Sequence, residues 1–576
     1  MSDDAPARHS AARRVLHIGL PPLIYIALAV ALFHNAWASP STITVGGHGD
    51  PDATMWYYAW TPYAISHGAN PLLTNHLNYP DGVNLMWQTS QPLVGLVSWP
   101  LAVAVNGYFA YDVVITLALA LSAWCAYAVI RRWVAWRPAA FVGGLVYGFS
   151  PYMTAHALGH ANLVIAFVPP LMLATLDEVL VRQRRSALRM GLLLGALAVV
   201  QFYITEELLA TEAIMALAAV VVLALLHRDR WRLHVPYVLR ALSVGLLVTI
   251  VLCAPALLVQ FFGANRLVGQ FQHPGGFSTD LLNFVVPTDV QQVDPGATGV
   301  ASRFSGNNTE QTGYLGLPLV LILAYTVWRF RAVMWVRVVA ILGVVAALLS
   351  MGPTLHIGGH ATHIPLPWVA VEHLPVLDNL VPGRLMLYVF LFAGLLLALF
   401  LDHVRWRGVV ALALVVVALL PTVSYLAAPH DNPPFFAAGG DVQRIPAGAT
   451  ALLAPFAANG RQVDAQAWQV AAGMRFRMPS GYVLLPNPAG GDHLIGPRPR
   501  PLSQAMVDIA DGRGAPQLTD PLRAQMHDDL RYWHTDVVIA GPMAHHDEMV
   551  SFLTDLLGAP PQHDQGVDVW WQVPAS

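Results

Sequence analysis

The chain has 576 residues, 56% of them hydrophobic and only 11% charged, and its mean hydropathy is +0.52. Soluble domains carry about a quarter charged residues, so the composition excludes an ordinary water-soluble protein and points to one built into a membrane. The net charge of −3 conceals an asymmetry: lysine is absent and the arginines cluster in short stretches between apolar runs, which argues against nucleic acid as a partner.

A helix crosses the hydrocarbon core with about 20 mostly apolar residues, and cytoplasmic loops collect arginine. The first apolar run, Gly19 to Ala38, follows Arg13 and Arg14. It is long for a signal-peptide core and lacks a small-residue cleavage site, so it is expected to be a retained first span. The next clear span, Val113 to Ile130, ends at RRWVAWR, which places residues 39–112 outside the cytoplasm. Within them Gln91 to Val105 is apolar but short, as in an interfacial or re-entrant helix. Spans near 138–150 and 163–181 form a pair ending at RQRRSALR, with PYMTAHALGHAN as their outer turn. Met190 to Leu226 is too long for one helix and carries Glu206, Glu207 and Glu212 near its middle, so it reads as a hairpin returning to HRDRWRLH.

A span near 238–262 leads to a long polar outer loop, 263–312; spans near 313–328, 336–351, 384–401 and 408–427 follow, with Arg329, Arg331, Arg337, Arg405 and Arg407 inside. The total is about eleven. An odd number with a cytoplasmic amino terminus puts residues 428–576 on the extracytoplasmic side. That region combines the short apolar stretches TALLAPF, DVVIAGP and VDVWWQV with an amphipathic stretch from Met549 to Leu557, and reads as a small α+β domain. The expected architecture is a polytopic α-helical transmembrane domain at 1–427 and an extracytoplasmic domain at 428–576. Cys125 and Cys253 lie inside apolar runs and read as packing residues, with no disulfide framework.

The inner loops are short and basic, so chemistry is expected outside. Asp50 and Asp52, in GGHGDPDATMWYYAW, follow the first span, and Glu206 and Glu207 sit at the outer turn of the 190–226 hairpin. Carboxylates at that depth are costly unless they face a cavity or a partner. They suit a general base toward a hydroxyl, or a pair holding a divalent cation such as magnesium or manganese through hard oxygens. The plainer reading is that Asp52 caps the helix beginning at DATMWYYAW, and that Glu206 and Glu207 hydrate a hairpin tip. Outer histidines are numerous: His48, His67, His76, His156, His160, His273, His356, His360 and His363. The run HIGGHATH has zinc-like spacing but lies among glycine and proline, and reads as a loop of hydrogen-bonded histidines. His156 and His160, four apart, share a face if their turn is helical, and suit a phosphate as well as ordinary turn packing. Arg303 in the long outer loop and Arg384 in LVPGRLMLYVF suit a lipid phosphate through bidentate hydrogen bonds; snorkelling to the interface is the alternative.

The phrases GDPDATMWYYAW, HGANPLLTNHLNYPDGVNLMW, YGFSPYMTAHALGHANL, QFYITEELLAT, MGPTLHI, IPLPW and PGRLMLYVF together resemble a set of bacterial proteins similar to the GT-C class of polytopic glycosyltransferases. The resemblance covers most of the membrane part, and the last 150 residues match only loosely. It implies transfer of a sugar from a polyprenyl-phosphate carrier to an extracytoplasmic glycan or lipid acceptor, in the cytoplasmic membrane of a bacterium. An acidic motif in the first outer loop is the hallmark of the class, and DPD at 50–52 matches it in place and type. By that resemblance Asp50 or Asp52 is the base or aligns a metal, and Asp50 is the expected catalytic base. Glu206 or Glu207 positions the acceptor or completes a cation site; Arg384, with His160, steadies the departing phosphate. The chain departs from better-known members in lacking a lysine phosphate clamp and a WWDYG-like motif, which counts against a peptide acceptor. A lipid-linked glycan transporter and a noncatalytic envelope-assembly scaffold are the rival readings.

Overall fold

The computed structural model describes residues 5–226, 228–270, 274–293, 298–374, 377–422, 425–458, 460–487 and 493–573. The chain is mostly helical, at 59%. Among the described residues, five helical stretches are long and apolar enough to cross a membrane: Gly107–Ile130, Ala161–Arg182, Glu206–Leu226, His234–Phe262 and Pro382–Leu419. Shorter apolar helices are Gly19–Leu32, Pro92–Ala104, Ala187–Phe202, Leu317–Arg329 and Met334–Ser350. The protein is therefore a multi-pass membrane protein. The hairpin expected at 190–226 is present as Ala187–Phe202 and Glu206–Leu226, and the short apolar stretch at 91–105 is the 13-residue helix Pro92–Ala104.

The chain forms two compact units, each assembled from distant stretches. The first comprises Met1–Trp37, Val113–Cys253 and Gln270–Leu426; the second comprises Ala38–Asp112, Ala254–Gly269 and Ala427–Ser576.

At the centre of the first unit is the helix Met386–Val404, buried almost throughout from Met386 to Ala398. A helix apolar on every side is one surrounded by protein or lipid, and here the burial shows protein. Its neighbour Arg137–Gly148 approaches closely because both backbones are bare at the crossing: a Cβ on Gly143 would lie 2.6 Å from the Gly394 carbonyl oxygen, and one on Gly394 would lie 2.5 Å from that of Gly143. Small residues are what allow helices to pack backbone to backbone in a membrane. Gly394→Ala is expected to force the pair apart and cost about 1–3 kcal/mol. A melting midpoint unchanged from wild type in detergent would show that the crossing can relax.

The second unit is built on a four-stranded sheet in the order Gln562–Asp564, Val567–Trp570, Val537–Ala540, Ala451–Ala454. Ala451–Ala454 runs parallel to Val537–Ala540, and the other pairings are antiparallel. Side chains alternate between two faces. One face, with Leu452, Val538 and Trp570, packs on Leu502, Met506, Met526, Phe552 and Leu553. The other, with Leu453, Ile539 and Val569, packs on Phe435, Phe436, Trp468 and Phe476, and also on Trp56, Tyr57 and Trp60 of the helix Asp50–Ser66. The helix Asp50–Ser66 and the carboxy-terminal residues thus share one core. They also share a strand pair: Ile43–Val45 runs antiparallel to Ala427–Pro429, with Thr44 opposite Ala428. That register brings the residue after the strand, His430, to the start of the Asp50–Ser66 helix.

Candidate functional site

In the second unit, the helix Asp50–Ser66 begins after Gly49, whose φ of 110° is a conformation glycine adopts without strain. Asp50 is the first helical residue, Pro51 follows, and the Asp52 Oδ2 accepts the Gly49 backbone N–H at 2.8 Å. Asp52 therefore does cap the helix, by reaching back from its third position. Capping does not exhaust it. Its side chain is fully buried, its Oδ1 lies 3.3 Å from the His430 Nδ1, and its Oδ2 lies 3.7 Å from the His48 Nδ1. The His430 Nε2 is 2.7 Å from the Thr44 hydroxyl, and its ring stacks on Tyr108 at 4.4 Å between centroids. Burial pushes the His430 imidazole down to about 4 against the pull of Asp52, so the ring is neutral at ordinary pH. Asp52 raises His48, which is half exposed, against the opposing effect of its burial. The Asp464 carboxyl is raised by burial and by the charge of Asp52.

Asp50 faces a different partner: its Oδ1 accepts the Tyr482 hydroxyl at 2.7 Å. Burial, then the charge of Asp50, pushes that phenol up. Three ligand-type side chains converge, His48, Asp52 and His430, and Asp50 is not among them.

In the first unit, Arg384 occupies the 3₁₀ turn Pro382–Leu385 that opens the central helix. Its side chain is buried, only 13% exposed. The guanidinium donates from Nη1 to Glu207 and from Nε and Nη2 to Glu310, while the Val381 N–H donates to the other Glu207 oxygen at 3.3 Å. Glu310 is in turn 3.8 Å from the His160 Nδ1 and 3.9 Å from the His156 Nε2, and the two imidazoles meet at 2.9 Å. Burial alone would push the Glu310 carboxyl up, but Arg384, His156 and His160 hold it at about 2. Burial takes the His156 imidazole well below its usual range. The structure thus joins Glu207, Arg384, His156 and His160, and adds Glu310. Glu206 is half-buried beside Glu207 at the helix start, where the macrodipole favours a carboxylate. Arg303 is exposed and outside this group. HIGGHATH is a two-stranded hairpin, Thr354–Ile357 with His360–Pro365, and forms no ligand cluster among the described residues. His273 lies outside the described residues.

The sequence reading missed Glu310 and His430. Glu310 is the sole glutamate in the loop 263–312, and His430 follows the last apolar run. Each carried that modest signal, but only the fold supplies their partners.

The electrostatics give a signed expectation. The Glu310 carboxyl titrates at 4.5 ordinarily and at about 2 in the fold, so the unfolded chain binds more protons between those values. The stabilisation is complete above pH 4.5 and is lost as the pH falls through 4.5 toward 2. The depressed His156 and His430 act in the same direction, their penalty beginning below 6.5. The melting midpoint is expected to fall below pH 6.5 and more steeply below 4.5, with Glu310→Gln flattening the lower part. A midpoint constant from pH 7 to 3 would contradict these assignments.

Residues 22–423 match the family model described as Domain of unknown function (DUF6311), well over half of the chain. The chain belongs to the DUF6311 family. No curated protein matches it in sequence. Among solved structures, the cryo-EM structure of the arabinofuranosyltransferase AftD from Mycobacteria is similar with a TM-score of 0.52 at 13% identity, covering 97% of this chain and 40% of that one. The DUF6311 chain therefore spans well under half the length of that protein. The archaeal oligosaccharyltransferase AglB from Archaeoglobus fulgidus, with an inhibitory peptide and a dolichol-phosphate, has a TM-score of 0.47 at 14% identity, covering 92% of this chain and 70% of that one. The AftD likeness establishes a GT-C-like fold for this DUF6311 member.

Proposed function

We propose that the protein is an inverting membrane glycosyltransferase that moves a sugar from a polyprenyl-phosphate carrier to an extracytoplasmic envelope glycan or lipid. The observation that carries this reading is the acidic pair Asp50 and Asp52, in the first turn of a buried helix, on a GT-C-like fold. Asp50, held by Tyr482, takes the proton of the acceptor hydroxyl. The acceptor oxygen bonds to the anomeric carbon as the carbon–oxygen bond to phosphate breaks, and the electron pair leaves with the polyprenyl phosphate. Asp52, with both histidines around it, fixes the start of the helix that carries Asp50.

Arg384, His156 and His160 are assigned to the carrier phosphate. Three of the five guanidinium N–H donors bond to Glu207 and Glu310, and the remaining two are those that would meet phosphate oxygens electrostatically. Glu206 and Glu207 position the acceptor. Arg303, exposed in its loop, is kept as a contact for the carrier headgroup. The same reading places the chain in a bacterial cytoplasmic membrane with about eleven spans, the amino terminus inside and residues 428–576 outside to hold a growing glycan.

The test is the pool of polyprenyl-phosphate sugars in cells lacking the protein, complemented with wild type or with Asp50→Asn at equal abundance. One lipid-linked sugar is expected to accumulate in the deletion and in the variant and to vanish with wild type. A pool unaltered by the deletion would sink the reading.

A further inference from the structure

We infer that His48, Asp52 and His430 form a binding site for a divalent transition cation of the zinc class. Their ligand atoms lie within 4.8 Å of one another. The decisive feature is what burial leaves unsatisfied. The Asp52 Oδ1 and the His430 Nδ1 face each other at 3.3 Å, both sealed from solvent, and neither makes a hydrogen bond. Buried polar atoms without partners are rare and costly. A cation between them satisfies both at once.

The surroundings fit a metal better than an ion pair. For the His430 Nδ1 to offer its lone pair, the proton must sit on Nε2, which is where the Thr44 hydroxyl stands at 2.7 Å to accept it. A ligating histidine anchored through its other nitrogen is the usual arrangement, and that anchor fixes ring and tautomer together. Two imidazoles and one carboxylate suit zinc and its neighbours, whereas magnesium and manganese prefer oxygen. The spacing agrees: ligands at ~2.0–2.1 Å from zinc stand ~3.3–3.4 Å apart at tetrahedral angles and ~3 Å apart at octahedral ones. The 3.3 Å between the Asp52 Oδ1 and the His430 Nδ1 falls with the tetrahedral set, and the half-exposed His48, 3.7 Å from the other carboxylate oxygen, stands close enough to swing in as the third ligand. His48 is 47% exposed, so the fourth position opens toward solvent, as in three-ligand sites that keep an exchangeable place for water or a hydroxyl.

The first unit provides an internal control. His156, His160 and Glu310 are comparably close, but the Arg384 guanidinium already engages both oxygens of Glu310. A dication there would sit against a fixed positive charge.

The inference stands apart from the proposed transfer reaction, because its readout is bound metal. Tag-free, full-length protein in detergent is stripped with chelator and titrated with Zn²⁺ and with Co²⁺. One equivalent per chain is expected, with the intense visible absorption of tetrahedral Co²⁺, and a large excess of Mg²⁺ should not displace it. His430→Ala and Asp52→Ala should abolish binding. His48→Ala, at a half-exposed position that leaves the fold intact, should weaken it at least ~10-fold, and Thr44→Val by ~10–100-fold. His156→Ala should bind like wild type. Absence of a stoichiometric site, wild-type affinity in a correctly folded His48→Ala, or loss of binding in His156→Ala would overturn the assignment.

Discussion

Arg384→Ala is expected to destabilise the protein by about 3–5 kcal/mol, because it strips from a buried group the cation that both Glu207 and Glu310 bond. Glu310 has a side chain only 3% exposed and Arg384 only 13%, so water cannot take the place of the guanidinium. Arg384→Lys keeps the charge but loses the fork that meets Glu207 and Glu310 together, and should fall between wild type and alanine. The sharper check is the triple variant Arg384→Met, Glu207→Gln, Glu310→Gln. Removing all the charges together removes the uncompensated burial, so this variant should melt well above Arg384→Ala. If Arg384→Ala melts like wild type, the ion-paired group contributes nothing to the fold.

The second large effect is on rate. Asp50→Asn conserves shape and still accepts the Tyr482 hydroxyl seen at 2.7 Å, but it cannot take a proton. A lost general base typically costs ~10²–10⁴-fold. Transfer by Asp50→Asn should therefore drop by that factor with the melting midpoint preserved. Asp52→Asn should behave differently, lowering stability as well as rate, since the Asp52 carboxylate is wholly buried against the Gly49 N–H and two imidazoles. Equal behaviour of the two variants would show that the acids share one structural role.

The sequence made the long helices legible for a physical reason: hydrocarbon demands uninterrupted apolar runs, so Glu206–Leu226 and its hairpin partner could be read from length and from the acids between them. The helix at Asp50 was equally plain, and the side chain that caps it, Asp52, is one of the three ligand-type side chains that converge there. The partners of these residues were not legible. Glu310, Arg384 and His156 come from three distant segments, and nothing local in NNTEQTG announces a buried acid. His430 reaches Asp52 only because Ala427–Pro429 pairs with Ile43–Val45, a long-range strand pairing between three-residue segments too short to carry a periodic pattern. For the same reason the sharing of one core by the helix Asp50–Ser66 and the carboxy-terminal sheet could not be read from either stretch alone.

The claim of sugar transfer is tested most directly by following the bond between the sugar and its carrier phosphate. Purified protein in lipid nanodiscs is given lipid-linked sugars, labelled in the sugar and extracted from cells lacking the protein, together with an envelope acceptor fraction. Label is expected to leave the carrier and appear on the acceptor with inverted anomeric configuration, and Asp50→Asn is expected not to move it. Label that stays on the carrier, or crosses the bilayer with the carrier bond intact, would rule out sugar transfer and make the protein a scaffold or a transporter.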